Sequence, residues 1–308
     1  MRFTDMADEM FGTAQGALPA GVRLATAKRG GVTITRVEIA REGLAKPRGR
    51  YVTLEMPSVS VLDERDAAVI EPCAAELGAL LPPEGPVLVL GIGNRRVTAD
   101  ALGPRTAQKI LVTMGPQHTL PVKGIRPVAA IAPGVSASTG LTLRQLAGAI
   151  VEAVRPAALI CVDSLCSAEG ARLGRSVQFS DTGLYPAQAD HAKHLDAAAL
   201  GVPVIAAGIP TLMDSDEGAD LVVTPRALDS VIAHGSALLA GAINRALQPR
   251  LSVAQLFWLA GDHRWAGREV ILCAAKHCRP PGRRGISCRF WKRLLCLPHC
   301  ASLPARRH

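Results

Sequence analysis

The chain has 308 residues, of which 48% are apolar, 20% charged and only 3% aromatic. That composition excludes a collagen, a coiled coil and a wholly disordered chain, and no apolar run reaches the ~18 residues needed to span a bilayer. The net charge of +9 comes from the end of the chain: residues 250–308 hold 12 Lys and Arg against 2 Asp and Glu, leaving residues 1–249 near neutral.

With so few aromatics the core must be aliphatic, which suits helices packed on a parallel sheet. The first 30 residues read as irregular. Arg2, Asp5, Asp8 and Glu9 leave no leader-like apolar segment there, so the expected compartment is the cytoplasm. Residues 32–39 alternate as a strand, and residues 51–56 form a second. The turn Lys46-Pro-Arg-Gly49 lies between them, so the pair predicts an antiparallel hairpin. Helical spacing over residues 63–81 stops at Pro82-Pro83. Residues 86–93 are a continuous apolar run, the pattern of a strand buried on both faces. A helix over 101–113, a strand over 127–132 and a helix over 143–154 follow. Strands over 157–162 and 202–207 come next, then a long helix over 224–247 with Thr224 as cap and Pro225 in its first turn. This alternation predicts an α/β fold with a mostly parallel sheet flanked by helices, extended by the N-terminal hairpin.

The loop that begins Gly91-Ile-Gly-Asn94 leaves the apolar run at 86–93. It is no dinucleotide fingerprint, because Arg96 stands where the third glycine belongs, and it lacks the Gly-Lys-Ser/Thr of a phosphate loop. Asp100 lies in this loop, where it reads as a helix cap or as a functional acid. Asp163 follows the strand at 157–162. In an open parallel sheet the carboxyl ends of the strands share one edge, where ligands bind. Asp163 reads as a loop cap or as a functional acid; where both acids are functional, Asp100 and Asp163 would meet there as a pair holding one proton between them, an arrangement suited to hydrolysis of an amide. Asp181 and Asp214 are weaker candidates for the same edge. Asp190, His191 and His194 read as a solvated polar loop, with metal ligation as the alternative; His118 and His234 are scattered, and Cys161 and Cys166 read as core thiols.

Taken in order, these residues carry a resemblance to the germination protease family. The matching stretches include Thr4-Asp-Met-Ala-Asp-Glu9, Tyr51-Val-Thr-Leu-Glu55, Gly91-Ile-Gly-Asn94 and Thr98-Ala-Asp-Ala-Leu-Gly-Pro104. Further matches are Ala132-Pro-Gly-Val135, Asp163-Ser-Leu165, Ser180-Asp-Thr-Gly183, Gly208-Ile-Pro-Thr211 and Val222-Val-Thr-Pro225. The resemblance covers residues 2–250. It implies an atypical aspartic endopeptidase of the spore interior, with a fold like that of hydrogenase-maturation proteases and small acid-soluble spore proteins as substrate. It further implies a zymogen, a homo-oligomer that is a tetramer in the family, and Asp100 and Asp163 as the acids. One carboxylate is expected to act as base toward water and the other to protonate the scissile amide. Gly91, Gly93 and Asn94 are expected to polarise the carbonyl. Thr4-Asp-Met-Ala-Asp-Glu9 resembles the family's own processing site, which places autocleavage between Asp5 and Met6 and makes residues 1–5 a short pro-segment. No metal, cofactor, membrane or direct nucleic-acid partner is expected for residues 1–250.

Two departures stand out. Ala168 occupies a position where the resemblance leads one to expect Arg. Residues 251–308 do not resemble the family, and they concentrate five of the eight cysteines (Cys273, Cys278, Cys288, Cys296 and Cys300) and all three tryptophans. This tail reads as out-of-frame or disordered sequence, with a zinc-binding tail or a basic nucleic-acid-binding arm as alternatives. The competing functional readings are a nickel-dependent endopeptidase of the hydrogenase-maturation type and an inactive peptide-binding homologue.

Overall fold

The computed structural model describes residues 3–11, 18–63, 65–115, 124–185, 194–215 and 221–260. Its centre is one mixed sheet. Strands β1 (Val22–Arg29), β2 (Val32–Ile39) and β3 (Gly49–Glu55) follow the short helix α1 (Ala7–Phe11). Strands β4 (Val87–Gly91), β5 (Val128–Ile131), β6 (Ala158–Cys166), β7 (Ser176–Ser180), β8 (Val204–Asp214) and β9 (Val222–Val223) complete the set. The spatial order is β1-β2-β3-β7-β8-β6-β4-β5, with β9 appended to β8. Strands β5, β4, β6 and β8 run parallel, whereas β7, β3, β2 and β1 extend the sheet in antiparallel pairs.

The aliphatic composition is distributed over two faces. On one face Val87, Val89, Ile160, Val162, Val177 and Phe179 pack under helices α2 (Ala67–Leu80) and α7 (Leu228–Leu247). On the other, Leu88, Leu90, Leu159 and Cys161 meet Ala147 and Val151 of α5 (Leu143–Val154). Both faces of β4 are thus buried, as its continuous apolar run predicts. Strand β2 changes face along its length. Val32 and Ile34 join the α2 side, whereas Val37 and Ile39 pack with Ala7 and Phe11 of α1.

Several expectations need correction. The first 30 residues are not irregular: they hold α1 and the eight-residue strand β1. The helix expected over 101–113 is only α3 (Leu102–Ala107). The chain leaves it early because the Asn244 amide of α7 donates to the Lys109 carbonyl and accepts from the Leu111 N–H. Thr224 does not cap α7. That helix begins at Leu228 behind Ala227, and Pro225 lies in the preceding turn, its carbonyl accepting from the Leu228 N–H. Pro72 lies inside α2, which Asp66 caps by accepting from the Ala68 N–H at 2.9 Å. Ordered packing continues past residue 250 into α8 (Val253–Ala260), whose Leu256 is buried and whose Phe257 rests against Gly241 of α7. Cys273 and the remaining cysteines of the tail lie outside the described residues, as do His118, Asp190 and His191.

Helix α3 meets the strand ends at backbone distance through Gly103. A Cβ there would lie 2.2 Å from the Ile92 carbonyl oxygen and 2.3 Å from that of Val162. Gly103→Ala is therefore expected to cost ~3 kcal/mol or more by overpacking. Gly148→Ala, on α5 with open space around the new methyl, is expected to stabilise by ~0.5–1 kcal/mol. Thermal melting of the two variants beside the wild type checks both signs.

Candidate active site

The parallel strands β4 and β6 deliver their carboxyl ends to one edge of the sheet, as open α/β sheets do. Asp163 lies within β6 rather than after it, paired in register with Gly208 of β8. Its Oδ1 accepts from the Ser164 N–H at 2.8 Å. Asp100 comes from the loop beyond β4, at the end of a single 3-10 turn (Thr98–Asp100). Its Oδ2 accepts from the Asn94 N–H at 2.6 Å. Gly93 makes this loop possible. Its φ is +122°, and a Cβ would lie 2.1 Å from the Asp100 carbonyl oxygen and 2.8 Å from Oδ1. Gly91 closes β4 with its Cα against the backbone of Gly103. The Gly91–Asn94 loop thus cradles Asp100: the Asn94 N–H holds its carboxylate, and the Asn94 Oδ1 accepts from the Arg96 N–H.

The electrostatics follow from this placement. Burial raises the Asp163 carboxyl well above its ordinary 3.8, the Ser164 N–H opposes the rise, and the nearby Asp100 and Asp5 carboxylates add to it. Asp100 is also raised, chiefly by burial and against the hydrogen bond from Asn94. The two acids therefore interact across the space at this edge, and the environment favours a proton on Asp163 more strongly.

The N-terminal segment enters this space. The Asp5 N–H donates to the Cys166 carbonyl at 2.9 Å, and the Cys166 N–H donates to Asp5 Oδ2 at 2.7 Å. Lys46 Nζ donates to the Thr4 carbonyl at 3.1 Å, and its ammonium lies 5.9 Å from the centre of the Phe3 ring. Burial raises the Asp5 carboxyl, while the Cys166 N–H and the Lys46 charge oppose that rise. Met6 is fully buried. Beyond it, the Arg172 guanidinium gathers Asp8, Glu9, Glu55 and Glu169. The Glu9 carboxylate also accepts from the Ala168 N–H at 2.8 Å.

Of the sequence candidates, the structure brings Asp100, Asp163, Asp5 and the Gly91–Asn94 loop to one edge. Asp214, at the end of β8, is close enough to raise Asp5. Asp181 is not part of the edge: it forms an ion pair with Arg50 at 2.7 Å. The His194 ring packs tilted against that of Tyr185, and His234 Nδ1 lies 3.1 Å from the Ser60 carbonyl. Lys46, Cys166 and Gln178 hold the N-terminal segment; the sequence pattern marks Cys166 only as a core thiol and singles out neither of the others. A buried polar residue in the alternating strand Ser176-Val-Gln-Phe-Ser180 is the one available signal for Gln178.

Comparison with known proteins agrees on the family. The family model described as germination protease matches residues 7–218, which include both Asp100 and Asp163. A germination protease of Clostridium perfringens is 32% identical over 71% of this chain and 86% of its own length. One from Caldanaerobacter subterraneus subsp. tengcongensis is 38% identical over 63% of this chain and 64% of its own length. A [NiFe] hydrogenase maturation protease, HycI from Thermococcus kodakarensis, is similar over 55% of this chain and 98% of its own, at 17% identity and a TM-score of 0.35.

The raised Asp163 carboxyl has a consequence for stability. Between its unfolded value and its folded one, the folded state holds a proton that the unfolded state has released. Stability from this group is therefore lost as pH rises through that window, and none is lost below pH ~3.8. Asp163→Asn, which cannot ionise, is expected to melt higher than the wild type at pH 7–8, with the gap closing toward pH 4. Paired thermal melts across that range test this sign.

Proposed function

Because this chain belongs to the germination protease family, we propose that it is an endopeptidase that hydrolyses small acid-soluble spore proteins inside the spore by activating water between Asp100 and Asp163. The observation that carries this reading is the juxtaposition of two burial-raised carboxyls at the carboxyl edge of the parallel strands. Paired carboxyls of unequal affinity can divide acid and base roles. Asp100, held by the Asn94 N–H and the less strongly perturbed of the two, takes a proton from water as that water attacks the carbonyl carbon. Asp163, which holds its proton more firmly, gives it to the departing amide nitrogen as the carbon–nitrogen bond breaks. The Gly91-Ile-Gly-Asn94 loop serves this reaction by fixing the position of Asp100.

The same reading assigns the Asp5–Met6 bond as a site of self-cleavage. The segment around it lies against the β6 edge, with the Asp5 carboxylate on the Cys166 amide. Residues 1–5 are then a pro-segment whose removal accompanies activation. Homo-oligomerisation belongs to the proposal through the family alone.

The deciding experiment incubates the purified protein with a small acid-soluble spore protein, with and without a metal chelator, and maps the cuts by mass spectrometry. Cleavage after an acidic residue, unaffected by chelator, is the expected result. Asp100→Asn and Asp163→Asn should each lower kcat by ~10²–10⁴. Chelator-sensitive cleavage would move the reading to the nickel-dependent alternative, and a folded wild type that cuts nothing would leave only peptide binding.

A further inference from the structure

The strand register aligns four residues in one row across the sheet. Asp163 of β6 pairs with Gly208 of β8, Gly208 pairs with Gln178 of β7, and Gln178 pairs with Thr53 of β3. Directly paired residues project to the same face of a sheet. Asp163 and Gln178 therefore stand on one face, two strands or ~10 Å apart, with Gly208 between them and the Leu165 side chain packed over it. The space over Gly208 is tight on the β6 side, where a Cβ would lie 2.5 Å from the Asp163 carbonyl oxygen and 2.6 Å from Leu165 Cγ. The row thus carries a carboxyl on β6 and a primary amide two strands away on β7.

The N-terminal segment crosses this row and is gripped in a specific way. Gln178 Nε2 donates to the Asp5 carbonyl oxygen at 2.8 Å, and Gln178 Oε1 accepts from the Ala7 N–H, also at 2.8 Å. One side chain therefore holds the main chain on both sides of the Asp5–Met6 bond. Farther along, Thr53 at the end of the row donates to Asp8 Oδ1 at 2.8 Å. Upstream, the Asp5 N–H lies on the Cys166 carbonyl. Gln178 is buried, so its amide works in a water-poor setting where a hydrogen bond to a developing negative charge is strengthened.

We propose that Gln178 is a further catalytic residue of this peptidase, the donor that stabilises the oxyanion of the scissile carbonyl, and that its Oε1 selects extended peptides by accepting the amide N–H two residues beyond the cut. This rests on the hydrolytic reading of Asp100 and Asp163. When water adds to the carbonyl carbon, the carbon–oxygen π electrons move onto the carbonyl oxygen, and the Gln178 Nε2–H bond shortens toward it. As the oxyanion collapses, the carbon–nitrogen bond breaks, the nitrogen takes the proton held by Asp163, and an acid and an amine are released. Gln178 gains and loses no proton. The contacts it makes with residues 5–7 are those a substrate would make in trans once the segment has moved aside.

The test uses the full chain and a synthetic peptide with the sequence of residues 1–11, alongside a version in which an ester replaces the Met6–Ala7 amide. Gln178→Glu keeps the acceptor and loses the donor, and Gln178→Met loses both. In folded variants kcat should fall ~10²–10³-fold. The ester should raise KM ~10-fold on the wild type, the loss of about one hydrogen bond, and should change nothing further on Gln178→Met. Should neither variant fold, the ester penalty on the wild type still decides. Undiminished kcat in folded variants, or no ester penalty on the wild type, overturns the assignment. If Asp163→Asn is dead while the Gln178 variants are not, only this inference fails; a wild type that cuts no peptide removes both readings.

Discussion

Asp163 is placed in the middle strand of the parallel set, with β4 beside its lower half and β8 paired along its whole length. Strand β6 is buried from Ala158 to Val162, so the chain delivers its first carboxyl to the edge directly from a dry core. A carboxylate in such a place loses hydration, and the single N–H of Ser164 does not restore it. The rest of the edge accommodates that one half-buried acid. Gly208 supplies a neighbour without a side chain, Gly93 lets the loop fold back so that Asp100 comes near, and Gly103 lets α3 close over the strand ends. Larger residues at these three positions would push apart the backbone segments that bring the acids together.

The N-terminus adds a second layer to the same constraint. Asp5, which increases the charge near Asp163, is itself held by the Cys166 amide and offset by Lys46. Arg172 anchors the following turn through several carboxylates at once. Its planar guanidinium suits this task better than a point charge would. The segment therefore rests on the edge through backbone pairing, one buried methionine and a cluster of ion pairs. It is a docked peptide whose main chain is read on both sides of one bond. Under the proposed self-cleavage, this segment is held as a substrate would be, and substrate in trans must compete with it.

Much of the sheet is legible in the sequence because burial on both faces leaves a long apolar run, as at β4, and alternation marks β2, whose buried side switches midway along the strand. Strand β7 escaped notice because Ser176, Gln178 and Ser180 break its hydrophobicity, although all three are buried. Strand β1 reads as irregular because most of its residues are exposed and its order comes from pairing with β2. The ends of α3 and α7 were misplaced for a tertiary reason: Asn244 captures the chain after α3, and no local cap signal marks the start of α7. At the site, the residues alone leave Asp100 open between a helix cap and a functional acid, and it is the family resemblance that singles out Asp100 and Asp163 as a pair. Gln178 was not legible. Its significance lies in a register across three strands and in a grip on residues 171 and 173 positions away in sequence, which no local pattern encodes.

The most direct test of the account is a titration of the aspartate carboxyl carbons by NMR in the full chain, followed by the same titration in Asp100→Asn. Asp163 is expected to titrate above Asp100 and well above the ordinary carboxyl range, and its pKa is expected to drop in Asp100→Asn as a neighbouring charge is removed. An Asp163 that titrates in the ordinary range and ignores the loss of Asp100 would mean that the two acids do not form a pair, and the proposed division of acid and base roles would be wrong.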